Sequence, residues 1–91
     1  MHPTRLALEA NLAALEGGKY GLCFASGMAA ITGAVCTLVG AGDHVVAHDV
    51  LYGCTYSLFT TGLPRFGVEF SFVDFTKLES LRQAITPRTR L

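Results

Sequence analysis

The stretch Tyr20-Gly-Leu-Cys-Phe-Ala-Ser-Gly-Met-Ala-Ala-Ile31 constrains this chain more than any other. Tyr20 to Ala25 is a short, largely apolar run, which predicts a strand covered on both faces. Ser26 suits the N-cap of a helix, and Gly27 lets a ligand approach the backbone closely. Met28 to Leu38 then carries apolar residues at helical spacing, with Ile31, Val35, Leu38 and Val39 continuing the face. A strand that gives way to a helix through Ser-Gly aims backbone N–H groups at one spot. That spot favours an anion such as a phosphate or carboxylate. The same residues also suit an ordinary strand-to-helix turn that binds nothing.

The rest of the chain repeats the alternation. Pro3 fits the first turn of a helix over Thr4 to Glu16, with Leu8, Leu12 and Leu15 as its apolar stripe and Glu9 and Glu16 outside it. Gly17-Gly18 stops that helix. Gly40-Ala-Gly42-Asp43 is a turn, and His44 to Asp49 reads as a strand buried on both faces, with His44 expected at its solvent edge. Tyr52 to Phe59 opens a third helix, fraying near Gly62 and Pro64. Val68 to Asp74 alternates as a third strand. Thr76 caps a fourth helix, with Glu79 completing a capping box and Leu78, Leu81, Ala84 and Ile85 as its apolar face. Thr86-Pro87 ends that helix, and Arg88 to Leu91 reads as the run-in to a further strand. Helices alternating with strands predict an α/β fold, a mostly parallel sheet with flanking helices and right-handed crossovers. Three short strands are few for such a domain, so we expect a piece of a larger one.

Composition excludes several classes. Lys plus Arg equals Asp plus Glu at 7 each, so no basic field exists for nucleic acid or an anionic membrane. No apolar run reaches the ~18 residues of a membrane span, and the N-terminus lacks the pattern of a signal peptide. Cys23, Cys36 and Cys54 form no Cys-x-x-Cys pair, so neither a zinc knuckle nor a disulfide framework is expected. Reduced thiols suit a cytoplasmic protein. His44 and His48 are four apart, but on a strand this is not the spacing of a helical zinc pair. Hydrophobic residues at 51% are many for 91 residues, which implies surfaces that something else covers.

Leu51-Tyr52-Gly53-Cys54-Thr55 sharpens the reading. Together with Pro3-Thr4, Leu12-Ala-Ala-Leu-Glu-Gly17, Phe24-Ala-Ser-Gly-Met28 and Ala41-Gly-Asp43, it resembles the pyridoxal-phosphate (PLP) enzymes of cysteine and methionine metabolism. The resemblance covers essentially the whole chain, in order. It implies part of the fold type I, aspartate-aminotransferase-like major domain over residues 1–91, with no second domain. It implies that Ser26, Gly27 and Met28 cradle the phosphate of pyridoxal 5'-phosphate. It implies that Tyr52 stacks on the pyridine ring and serves as acid or base toward the leaving group, with a phenol whose pKa its surroundings can lower.

Tyr-Gly-Cys at Tyr52 to Cys54 is similar to methionine γ-lyases, so γ-elimination and a catalytic contribution from Cys54 are implied. Cys54 is equally readable as an inert small residue. Leu63-Pro-Arg-Phe-Gly67 is shared with O-acetylhomoserine sulfhydrylases, which keeps γ-replacement as an alternative, beside the cystathionine γ-lyases and γ-synthases. A small interaction domain that never meets the cofactor is the alternative from another class. The implied partners are a sulfur amino acid and further copies in a homo-oligomer, a tetramer. The chain departs from the family at His2-Pro3-Thr4, where Asn-Pro-Thr is usual. The family's Schiff-base lysine, ring-nitrogen aspartate and carboxylate-binding arginine have no counterpart here. Lys19 and Lys77 do not match the lysine's setting. The chain alone is therefore expected to be inactive.

Overall fold

The computed structural model describes residues 2–91, and the chain forms two compact units, Met1–Ala30 and Ile31–Leu91. Each is taken separately.

In the first unit, helix α1 spans Pro3–Leu15 with Pro3 at its start, where the missing N–H is no loss. It ends in a Schellman turn. Gly17 adopts φ 71°, its N–H donates to Ala14 O at 3.3 Å, and the Gly18 N–H donates to Ala13 O at 2.8 Å. The expected apolar stripe is not what α1 buries. Leu8, Leu12 and Leu15 are exposed, whereas Ala13 and the charged Glu9 are buried. Glu9 is tolerated inside because its carboxylate is paired: Oε2 accepts from Arg5 Nε at 3.4 Å and from the Cys23 N–H at 2.6 Å.

Tyr20 to Ala25 is not a strand but an irregular segment that bends at Ala25, which corrects the expectation from its composition. A strand needs a neighbouring backbone, and this unit offers only a helix. Side chains take the ladder's place at Cys23, with Glu9 accepting from its N–H and Arg5 Nη2 donating to its carbonyl. Nor are both faces covered. Gly21 and Cys23 turn toward α1, while Tyr20 at 83% and Leu22 at 69% stand open. Helix α2, Gly27–Leu38, starts at the end of this unit.

The second unit holds the rest of α2, then β1 (His44–His48), α3 (Gly53–Ser57), β2 (Glu69–Val73) and α4 (Leu78–Ala84). β1 and β2 pair in parallel, with His44 opposite Glu69 and His48 opposite Val73. The other edge of β1 takes the end of the chain. The His44 N–H donates to Arg88 O at 2.9 Å, Arg90 donates to His44 O at 2.8 Å and Val46 donates to Leu91 O at 2.9 Å. The expected run-in at Arg88 to Leu91 is therefore present, as a bridge at Thr89. Flanked on both edges, β1 buries Val45 and Ala47, which join Val35, Val39, Phe59, Leu63 and Val68 in one core. Phe59 stacks on Phe70 with ring centroids 4.6 Å apart.

His44 corrects a second expectation. It is 4% exposed rather than solvent-facing. Its Nδ1 lies 2.6 Å from Thr89 Oγ1 and its Nε2 lies 2.7 Å from Ser71 Oγ, so a polar ring is buried with both nitrogens satisfied.

Between α3 and β2 the coil widens to a π turn over Leu58–Gly62 and tightens to a 3₁₀ turn over Leu63–Phe66. Pro64 cannot donate to the carbonyl a turn behind it, which breaks the α ladder. The hydroxyls of Thr60 and Thr61 meanwhile occupy the carbonyls of Tyr56 and Ser57. Gly67 closes the turn at φ 85°.

Thr76 does not cap α4; Lys77 holds that position without a side-chain bond. The Asp74 carboxylate captures Thr76 first, accepting from its hydroxyl at 2.6 Å and its N–H at 2.9 Å. Those two bonds hold the Asp74 carboxyl below its ordinary range, with His48 adding in the same direction. Leu81 and Ala84 face inward as expected, while Leu78 and Ile85 are exposed.

Gly67 and Gly40 separate the effects of backbone and space. Gly67 has φ +85°, and an added Cβ would meet Ala41 Cβ at 3.1 Å, whereas at Gly40 nothing lies within 4 Å. Gly67→Ala should therefore cost at least ~1–2 kcal/mol in urea unfolding, the penalty of a left-handed alanine. Gly40→Ala should leave stability unchanged or slightly raised. Equal effects at the two sites would contradict the geometry.

Candidate functional site

The residues singled out in the sequence form two local clusters, one in each unit. In the first unit, Ser26 caps α2. Its Oγ accepts the Ala29 N–H at 3.0 Å, and its carbonyl accepts the Ala30 N–H at 3.1 Å. Gly27 is the first helical residue, exposed, with no atom within 4 Å of where a Cβ would project. Gly27 therefore meets no steric demand from this chain, and the open space in front of its backbone fits a small anion such as a phosphate at a helix start. Met28 follows, half-buried.

In the second unit, Tyr52 holds the N-cap position of α3 with an extended backbone, φ −55° and ψ 137°. Its carbonyl accepts the Tyr56 N–H at 3.0 Å, which begins the helix. Its ring is 70% exposed and offers a face. Cys54 lies in the first turn, also exposed. The two side chains lie close enough to interact. Hydrogen bonding with Cys54, then negative charge at its sulfur and then desolvation raise the phenol above its ordinary pKa. The direction is opposite to the lowering expected from the sequence. Each of these disfavours the phenolate, which holds the proton on Tyr52.

Among the described residues no group of three or more His, Cys, Asp or Glu side chains could hold a metal ion. No helix among them is long and apolar enough to cross a membrane. The sequence did not reveal the Arg5–Glu9–Cys23 cluster. The spacing of Arg5 and Glu9, four apart on a helix, was the available signal, but only the fold reveals that Glu9 is buried against Cys23.

Known proteins resemble this chain in sequence and in fold. The family model for the Cys/Met metabolism PLP-dependent enzymes matches residues 1–91. The chain is 48% identical over 90 residues to the L-methionine gamma-lyase of Fusobacterium nucleatum, covering 99% of this chain and 23% of that protein. It is 51% identical over 89 residues to the cystathionine gamma-lyase of Bacillus subtilis, covering 98% of this chain and 23% of that one. Among solved structures, O-acetylhomoserine sulfhydrylase of Wolinella succinogenes superposes with a TM-score of 0.91 at 45% identity, over 96% of this chain and 25% of that one. The chain thus spans about a quarter of the length of these relatives.

The contact between Cys54 and Tyr52 is directly measurable. Tyr52 should ionise above the ordinary phenol value, followed by tyrosinate absorbance against a Tyr52→Phe blank. The folded surroundings favour the protonated form, so Cys54→Ala should shift the midpoint down and leave Tyr52 more ionised at any given alkaline pH. An unmoved midpoint would remove Cys54 as the cause.

Proposed function

The chain belongs to the Cys/Met metabolism PLP-dependent enzyme family, and from that premise we propose that it is part of a carbon–sulfur lyase of sulfur amino acids, with methionine γ-elimination as its reaction. The fold is the α/β arrangement of the fold type I PLP enzymes, a parallel pair with helices. The overall change converts methionine and water into methanethiol, ammonia and a four-carbon 2-oxo acid. What supports the choice is Cys54 in the first turn of α3 next to Tyr52 at its N-cap, together with the likeness to the L-methionine gamma-lyase of Fusobacterium nucleatum.

When bound, PLP supplies the electron sink that makes the α-proton of the amino acid acidic. This chain's residues have narrower tasks. Ser26, Gly27 and Met28 would hold the phosphate, with the capped start of α2 facing its charge. Tyr52 would stack on the pyridine and could give its proton to the departing sulfur. A phenol is protonated at neutral pH, and the upward shift that Cys54 causes works in the same direction, which suits the acid role.

The lysine that bonds the cofactor is neither Lys19 nor Lys77 in this reading. Residues 1–91 act as the first portion of the major domain and turn nothing over alone. We assign the enzyme to the cytoplasm, which the free thiols of Cys23, Cys36 and Cys54 support. The same reading takes the complete protein as a homotetramer, and the exposed Leu6, Leu8, Leu12 and Leu15 as apolar surface that the rest of the protein or another copy covers.

A second reading, γ-replacement on O-acetylhomoserine by sulfide, draws on the likeness to the Wolinella succinogenes sulfhydrylase. Supplying the complete protein with PLP and either methionine or O-acetylhomoserine plus sulfide separates the two. Methanethiol and the 2-oxo acid are expected from methionine. Homocysteine from the second mixture without elimination from the first would replace our reading.

Two substitutions test the roles. Gly27→Asp should weaken PLP binding in a reconstitution titration by placing a like charge at the phosphate; unchanged affinity would remove the phosphate assignment. Tyr52→Phe keeps the flat ring, so PLP should stay bound while elimination slows by ~10²–10⁴, the usual worth of one acid–base group. The loss should fall on kcat and kcat/KM together. It should shrink for an acetate ester, which departs without needing a proton, relative to a thioether. Release of the cofactor with normal turnover in the remaining holoenzyme would make Tyr52 a packing residue.

A further inference from the structure

We propose that Arg5 and Glu9 are positioning residues for the phosphate turn: their ion pair holds the backbone of Cys23 and thereby sets where Ser26 and Gly27 present the start of α2. The inference rests on the reading of Ser26 to Met28 as a phosphate site.

The first observation is that one ion pair takes both polar groups of one peptide residue. Glu9 Oε2 accepts the Cys23 N–H at 2.6 Å, and Arg5 Nη2 donates to the Cys23 carbonyl. Arg5 Nε also donates to Glu9 Oε2 at 3.4 Å, so the two ends of the grip steady each other. An adjacent β-strand would satisfy the same two groups. The second observation is the closeness of the seat. A Cβ at Gly21 would lie 2.5 Å from Glu9 O and 3.3 Å from Glu9 C, so the segment meets the helix backbone itself. Contact that close leaves the segment no freedom to slide.

From Cys23 the chain runs exposed through Phe24 and Ala25 to the Ser26 cap. At ~3.3 Å per residue at full extension, the cap lies no more than about 10 Å from its anchor. The Ser26 hydroxyl is itself committed to Ala29. The direction in which the turn faces is then inherited from Cys23. The value of the pair is geometric rather than Coulombic. The Arg5 side chain is 51% exposed and its attraction to Glu9 is screened, whereas the carboxylate, 11% exposed, bonds at a shielded site.

The test uses the complete holoenzyme, stripped of cofactor and titrated separately with PLP and with pyridoxal, which lacks the phosphate. Glu9→Ala and Arg5→Ala should each weaken PLP binding roughly tenfold, the size of one lost charge-assisted hydrogen bond, and leave pyridoxal binding unchanged. Glu9→Gln keeps an oxygen acceptor for the Cys23 N–H and should recover most of the PLP affinity. Arg5→Ala carries the test if Glu9→Ala does not fold. Wild-type PLP affinity in Arg5→Ala and Glu9→Ala, beside a loss in Gly27→Asp, overturns the positioning role and leaves the phosphate site standing. Equal losses for PLP and pyridoxal also overturn it, because they mark general disruption. Undiminished PLP affinity in Gly27→Asp removes the phosphate site, and this inference with it.

Discussion

The second unit depends on a single imidazole. His44 is buried at the start of β1, with Ser71 of β2 on one nitrogen and Thr89 on the other. A hydroxyl can donate or accept, so either neutral tautomer of the ring is satisfied. Its backbone N–H and carbonyl bond the returning chain at Arg88 and Arg90. One residue thus joins three extended segments through both main chain and side chain. Remove the ring and the half-buried Ser71 hydroxyl loses this bond, while Thr89 keeps only its bonds with Thr86, at the point where β1 becomes central. The core of Val45, Ala47, Phe59, Leu63 and Val68 lies against that strand.

What could be read in the sequence was what is decided locally. The Ser26 cap, the Gly17-Gly18 stop, the Gly40 to Asp43 turn and the two paired strands all follow from residues a few positions apart. Expectations failed where a distant group decided. Tyr20 to Ala25 has the composition of a buried strand, but hydrogen-bonded pairing is a property of two segments, and α1 is what meets it here. Leu8, Leu12 and Leu15 looked like a core stripe, yet Glu9 is the buried position because Arg5 and Cys23 satisfy its charge. His44 looked like an edge residue because its partners lie 27 and 45 positions away. Thr76 lost its capping role to nearer competition from Asp74.

The candidate site shows the same division. Each of its clusters sits where a non-helical run gives way to a helix, the usual place for ligands in α/β proteins. Sequence motifs marked both positions. The upward shift that Cys54 causes in the Tyr52 phenol could not be read from them, because two exposed side chains in one turn can meet or miss.

The clasp at His44 also bears on the order in which the chain can assemble. The bonds that seat the first unit join residues 14 and 18 positions apart, while those of His44 span 27 and 45. Each doubling of a loop adds only about 0.6 kcal/mol of closure entropy, so the longer spans are a modest thermodynamic burden. Their cost is kinetic, since distant pairings slow the search for the native arrangement. During synthesis Cys23 can reach Arg5 and Glu9 long before Thr89 has left the ribosome. The Ser26–Gly27 turn can be seated early, and the bonds of His44 form after it.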